Sequence, residues 1–174
     1  MRRATVAANL RSVRGFTLIE LVVIIVILVL LAAVAVPRLA NITGMKASAT
    51  ARKLQSDMAY AQNLAMSRNQ RFRLVFPSST SYEVRDQAGV LATNPDGGAG
   101  LVVTTESGIT LSWLLNADTA INRGVEFDGL GRPYLYAGVT PSVTNLANGT
   151  VTVTGGDTAQ TVTVQPQTGK VSIP

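Results

Sequence analysis

The sequence predicts an α+β protein in which a long N-terminal helix packs on an antiparallel β-sheet domain. An apolar run near the N-terminus leads into an amphipathic segment without proline, residues 40–69. From residue 71 onward, short apolar or alternating segments are separated by Gly, Pro, Asn and Asp, as is typical of strands and turns. A helix followed by consecutive strands indicates an α+β order rather than an alternating α/β one.

Composition excludes several classes of function. The 174 residues include neither cysteine nor histidine. Disulfides, thiolate nucleophiles and cysteine-ligated metal centres are therefore excluded, and the commonest general base and metal ligand is missing. We expect a protein that is not an enzyme, with no cofactor and no metal site.

Basic residues are concentrated at the N-terminus. The chain has 15 basic and 10 acidic residues, and Arg2, Arg3, Arg11 and Arg14 lie within the first 14 positions. Apart from these four arginines, the chain contains 11 basic and 10 acidic residues. The remainder of the chain is nearly neutral, which does not favour strong binding to a polyanion.

Residues 16–36 form a mainly apolar run of 21 residues with one charge, Glu20. At about 1.5 Å per residue, this helix would span roughly 30 Å, the thickness of a hydrocarbon core. A cleaved secretory signal is the alternative. The run is longer than a usual signal core, and Pro37-Arg38-Leu39 follows it without a small-x-small cleavage site in a polar context. We therefore predict a retained transmembrane helix.

Glu20 has two interpretations. A carboxylate in a membrane helix is costly and indicates a functional site. Alternatively, Glu20 lies at the headgroup level, where the positive helix N-terminus favours it. If the chain were cut after Gly15, the new α-amino group of Phe16 could neutralise Glu20 of the same or a neighbouring chain.

The segment Arg14-Gly15-Phe16-Thr17-Leu18-Ile19-Glu20-Leu21 resembles the class III signal of type IV prepilins and type II secretion pseudopilins. The resemblance implies that residues 1–15 are a leader, removed between Gly15 and Phe16 by a prepilin peptidase on the cytoplasmic side. It also implies N-methylation of Phe16 and a role for Glu20 in assembly with other pilins or pseudopilins.

Beyond residues 16–36, we expect an amphipathic continuation of the helix over residues 37–70, kinked at Pro37. Its predicted core-facing stripe is Leu54, Met58, Ala61, Leu64 and Ala65, and Asp57 is assigned to the polar positions. Residues 71–174 are predicted as a β-rich periplasmic domain. The predicted strands are 72–76 (ended by Pro77), 82–85, 101–105, 109–114, 125–127, 133–136, 150–154, 161–164 and 170–173.

Residues 59–69, 73–76, 125–132 and 162–171 resemble H-type minor pseudopilins and FimT-like minor pilins. The resemblance implies a structural minor subunit of a periplasmic fibre, with a type II secretion pseudopilus preferred over a type IV pilus. It further implies a single-pass protein of the bacterial inner membrane that works with an assembly platform there.

DNA uptake is the alternative function, since some FimT-like pilins are thought to bind DNA. The candidate contacts are Arg68, Arg71, Arg73 and Lys170. One arginine cluster with a single interleaved aromatic is more often a solvated helix end than a nucleic-acid site. We therefore rank DNA binding below the structural function.

Overall fold

The computed structural model describes residues 15–98 and 100–174, without the side chains of residues 34–41. The leader arginines and the Pro37 side chain lie outside this description. The described residues form a helix followed by nine strands in antiparallel sheets, which confirms the predicted α+β class. The elements are α1 (Leu18–Arg68), β1 (Phe72–Ser78), β2 (Ser81–Asp86), β3 (Val102–Thr104), β4 (Ile109–Leu115), β5 (Arg123–Phe127), β6 (Pro133–Tyr136), β7 (Gly149–Gly155), β8 (Thr158–Val164) and β9 (Val171–Ser172).

The chain divides into two compact units, one ending at Arg38 and one comprising Leu39–Pro174. In the first unit, every described side chain of the helix is exposed. Among the described residues, no helix is both long enough and apolar enough to cross a membrane. The predicted membrane segment, residues 16–36, extends into the stretch whose side chains are not described, and its crossing stays a prediction.

The second unit is built on one face of α1. The residues of this face are fully buried: Ala47, Ala51, Leu54, Met58, Ala61 and Ala65. Leu64, expected on the same stripe, is only partly buried. The described core lies entirely within residues 39–174, so a fragment with these bounds carries what it needs to fold.

Two antiparallel sheets share this core. The first has the order β3-β2-β1-β5-β6 and the second β4-β7-β8-β9. Trp113 of β4 stacks on Phe76 of β1 with ring centroids 4.8 Å apart, which joins the sheets. The expected hairpin between β7 and β8 is present, with Gly155 paired to Thr158.

Glycine allows α1 to approach that hairpin closely. A Cβ added at Gly155 would lie 2.7 Å from the Thr43 carbonyl oxygen and 2.9 Å from the Ala47 Cβ. These separations are too short for a side chain, so the backbone of β7 packs almost directly on the helix.

The prediction that Pro77 ends the first strand is wrong. β1 continues through Pro77 to Ser78, and its register with β2 shifts between Val75 and Ser78. Proline cannot donate to a strand ladder and is tolerated at such irregularities.

The assignment of Asp57 to a polar, outward position is also wrong. Asp57 is 3% exposed, and its Oδ2 accepts a 2.7 Å hydrogen bond from the Tyr82 hydroxyl. The Lys53 ammonium lies 3.6 Å from the same oxygen. Burial raises the pKa of Asp57 above its ordinary value of 3.8, although both partners favour the charged form.

The raised pKa predicts the direction of a pH effect. The folded state holds the Asp57 proton more tightly than the unfolded state, so ionised Asp57 opposes folding at neutral pH. The destabilisation caused by ionised Asp57 decreases as the pH falls from the pKa of the folded state towards 3.8, the pKa of the unfolded state. Asp57→Asn still accepts from Tyr82 but does not titrate. We therefore expect wild type to gain stability relative to Asp57→Asn between pH 7 and 4.

Urea unfolding of residues 39–174 at several pH values measures this difference. Comparing the two proteins cancels the titration of the remaining carboxylates. The raised pKa of Asp57 would be contradicted if the stability difference between the two proteins were constant from pH 7 to pH 4. It would also be contradicted if the difference favoured Asp57→Asn more strongly at low pH.

Candidate assembly segment and arginine cluster

The helix begins at a capped turn next to the predicted cleavage site. The backbone amide of Glu20 donates to the Thr17 Oγ1 at 3.3 Å, and the amide of Leu21 donates to the Thr17 carbonyl at 3.2 Å. Thr17 is thus the N-cap of α1. This role was not predicted from the sequence, although Thr17 and Glu20 have the Ser/Thr-x-x-Glu spacing of a capping box.

Glu20 lies in the first turn of α1 and is exposed. Negative charge is favoured there by the unpaired amides of the helix N-terminus. The ion pairs found among the described residues do not include Glu20. The carboxylate is therefore accessible to another molecule, and Phe16, four residues before it, is 74% exposed.

The helix surface after Glu20 is apolar on all sides. Large side chains from Leu21 to Leu31 are between 42% and 63% exposed, with no polar side chain among them. A helix that is hydrophobic all round is stable only when lipid or other apolar surfaces cover it. This segment of 11 residues is therefore an apolar surface that nothing in the described residues covers.

Of the candidate DNA contacts, Arg71 binds groups of its own domain. Its Nη1 lies 2.8 Å from the Oε1 of Glu126 and donates to the Ser142 carbonyl at 3.0 Å. The guanidinium also lies over the Tyr134 ring, 4.6 Å from its centroid.

Arg73 is also buried, with 6% of its surface exposed and its guanidinium over the Tyr136 ring. Arg68 is exposed and lies 5.6 Å from the centroid of the Phe72 ring. Lys170 is exposed in the turn before β9. The two members best placed to meet a phosphate are therefore Arg68 and Lys170, and DNA contact stays a prediction.

Glu126 is the residue of this cluster that sequence reasoning did not identify. It is fully buried and accepts from Arg71, the Thr140 hydroxyl and the Ser142 amide, each at 2.8 Å. The only signal was a carboxylate between two apolar residues, Val125 and Phe127, in a predicted strand. A buried carboxylate with three donors holds the segment after β6 against the sheet.

Two family models match the chain. One, described as type II transport protein GspH, matches residues 50–168. The other, described as the prokaryotic N-terminal methylation motif, matches residues 10–36. Comparison with curated proteins gives no match.

Solved structures of pilin-like proteins are similar in fold. The minor pseudopilin EpsH of the Vibrio cholerae type 2 secretion system is 13% identical, with a TM-score of 0.51 over 74% of this chain and 96% of that one. The type IV minor pilin FimU of Pseudomonas aeruginosa is 15% identical, with a TM-score of 0.49 over 73% of this chain and 87% of that one.

At 13% identity, the EpsH structure bears on the fold alone. The GspH match covers well over half of the chain and agrees with the resemblance seen in the sequence. The chain belongs to the family of type II transport protein GspH, whose members are structural pilin-like subunits, and it carries the prokaryotic N-terminal methylation motif.

Proposed function

We propose that the chain is a minor subunit of a periplasmic pilus-like fibre, the pseudopilus of a type II protein secretion system. The observation that carries the proposal is the presence of two features in one chain. A methylation motif covers residues 10–36, and the GspH family match covers residues 50–168. The proposed role is structural and requires no catalysis by this chain.

The exposed apolar helix supports anchoring and assembly by the same segment. Before assembly, lipid of the bacterial inner membrane would cover residues 16–36, and the domain of residues 71–174 would lie in the periplasm. In the fibre, helices of other pilins or pseudopilins would cover the same apolar surface. The exchange needs no change in the second unit, because that unit has its own core.

We propose that Glu20 sets the relative height at which neighbouring helices pack in the fibre. After removal of residues 1–15, the α-amino group of Phe16 would be a cation next to an apolar helix. Opposite charges about 4 Å apart in a poorly screened setting attract by several kcal/mol, which desolvation offsets in part. Pairing Glu20 with the Phe16 amine of a neighbouring subunit would satisfy both groups at one relative height of the two helices.

A type IV pilus minor pilin, with a role in pilus biogenesis or DNA uptake, is the alternative. The internal partners of Arg71 and Arg73 do not favour a phosphate-binding surface at that cluster. The description of the matching family, a type II transport protein, favours the secretion system.

Cleavage by prepilin peptidase predicts a defined mature N-terminus. Wild type should begin at Phe16 and carry an N-methyl group, whereas Gly15→Leu should accumulate as the full-length precursor. Intact-mass spectrometry of the membrane fraction measures both. Ala8→Leu, in the same leader, is the matched control and should be processed normally. Detection of Met1 or Arg2 on the wild-type membrane form would contradict the proposal.

Replacement of Glu20 should impair assembly without affecting the fold. We expect Glu20→Ala to stay in the membrane but to enter fibres at least about tenfold less well, the effect of losing roughly 1.4 kcal/mol. The matched control is Glu106→Ala, which removes an exposed carboxylate of the domain. Quantitative immunoblotting of sheared or purified fibres gives the comparison. Equal incorporation of the two variants would refute the role of Glu20.

Binding of the second unit to DNA should be weak. Arg68 and Lys170 together provide at most two phosphate contacts, which corresponds to a salt slope of about −2. Fluorescence anisotropy of a labelled duplex with residues 39–174 should show no saturation at micromolar protein and physiological salt. Micromolar binding that Arg68→Ala/Lys170→Ala abolishes would instead favour DNA capture.

A further inference from the structure

A cleft opens on the surface of the second unit where the start of β6 meets two loops. Its volume is about 550 Å³, within the range of known ligand sites. The loop before β7 and the turn between β8 and β9 form its other walls. The lining residues include Arg132, Pro133, Tyr134, Asn145, Pro166 and Gln167.

Asn116 fixes the loop on one side of this cleft. Its Nδ2 donates to the Asn145 carbonyl at 2.8 Å. Its Oδ1 accepts from the backbone amides of Ala147 and Asn148 at 2.8 and 3.0 Å. The carboxamide of Asn145 takes part in none of these bonds and is exposed, so a ligand in the cleft can reach it.

Gln62 and Asp128 fix the two remaining walls. Gln62 Nε2 donates to the carbonyls of Gly131 and Thr168 at 2.9 and 2.8 Å, which ties a turn on each side of the cleft to α1. Asp128 Oδ1 accepts from the Arg132 amide at 2.9 Å. The cleft is therefore formed in advance, and a ligand does not have to order these loops when it binds.

The backbone of Gln167 has an uncommon conformation for a residue with a side chain. Its φ is +66°, in the left-handed region that favours glycine. Positions with such backbone strain are frequent at functional sites. The Gln167 side chain is exposed at the cleft, so binding by its carboxamide gives a reason for glutamine at a position that suits glycine.

The accessible groups of the cleft suit a peptide with an acidic side chain. Arg132 is exposed, and its guanidinium fork matches the geometry of a carboxylate. The carboxamides of Asn145 and Gln167 each combine an acceptor with two donors, which complements the N–H and C=O of a peptide group. We infer that the cleft binds an extended segment of another protein and pairs one of its acidic side chains with Arg132.

The lining favours a protein segment over a nucleic acid. Pro133, Leu146 and Pro166 give the walls apolar surface for the aliphatic part of a peptide. Among the described residues that line the cleft, Arg132 is the one cation. A nucleic acid backbone is held by several cations along its length. The inference goes beyond the proposed function and does not depend on it.

Titration of ¹⁵N-labelled residues 39–174 with the peptide acetyl-Ala-Ala-Glu-Ala-Ala-amide tests the inference. We expect saturable shifts of the Asn145 and Gln167 side-chain amide signals, with a Kd on the order of 1 mM. The peptide with Gln in place of Glu should bind at least about tenfold less tightly, because it cannot form the charge-assisted pair with Arg132.

Arg132→Met shows whether the preference for Glu comes from this arginine. The variant should bind both peptides equally, with a Kd close to that of wild type for the Gln peptide, because the two changes remove the same interaction. It should fold, since the side chain is exposed. The matched control is Arg52→Met, which removes an exposed arginine of α1 and should keep the tenfold preference.

Gln167→Gly separates binding from folding. Glycine adopts a positive φ without strain, so urea unfolding should show no loss of stability. Its Kd for the Glu peptide should nevertheless rise at least about threefold, the effect of one lost hydrogen bond. A Kd equal to that of wild type would remove Gln167 from the site.

Three results would overturn the inference as a whole. The first is equal binding of the Glu and Gln peptides by wild type. The second is a preference for the Glu peptide that survives in Arg132→Met. The third is tighter binding of a five-nucleotide oligothymidylate than of the Glu peptide, which would make the cleft a nucleic-acid site.

Discussion

The buried face of α1 from Ala47 to Ala65 is the surface on which both sheets pack. Four of its six residues are alanines, so strands can approach the helix backbone closely. The close approach of β7 at Gly155 is one result. Helix glutamines reinforce the packing: Gln62 Nε2 donates to the carbonyls of Gly131 and Thr168 at 2.9 and 2.8 Å, which fastens two turns to α1. The same helix begins with a surface that nothing in the described chain covers.

Local patterns were sufficient to predict the elements of this fold. The alternation of Val and Thr in residues 150–154 and 161–164, with two glycines and an aspartate between them, specified a hairpin that the structure contains. The helix stripe was predicted for the same reason, since its 3.6-residue period is a property of neighbouring residues. The arrangement of the strands in two sheets was not evident, because pairing such as β1 with β5 joins residues about 50 positions apart.

Apart from Pro77, the errors concern residues that are surrounded by side chains from distant parts of the sequence. Asp57 occupies a polar position by helical period, but Tyr82 from β2 supplies its hydrogen bond and buries it. The sequence predicted that Arg71 and Arg73 belong to a solvated cluster. In the structure, Arg71 contacts Glu126 and Tyr134, and Arg73 contacts Tyr136, all more than 50 residues later in the chain. Glu126 itself was missed, as its three donors are unrecognisable in sequence. Gly15, Phe16 and Glu20 were singled out by a contiguous motif that needs no tertiary contact, and their roles stay predictions.

The central claim is that the apolar surface of α1 is covered by helices of other pilin-like subunits in the assembled fibre. A photoreactive benzophenone side chain at Val23, in cells with an active secretion system, tests it directly. Val23 is 47% exposed in the isolated chain. The account predicts covalent adducts with other pilin-like subunits, identified by mass spectrometry, that disappear when prepilin peptidase is inactivated. Adducts with lipid alone in cells that contain assembled fibres would contradict it.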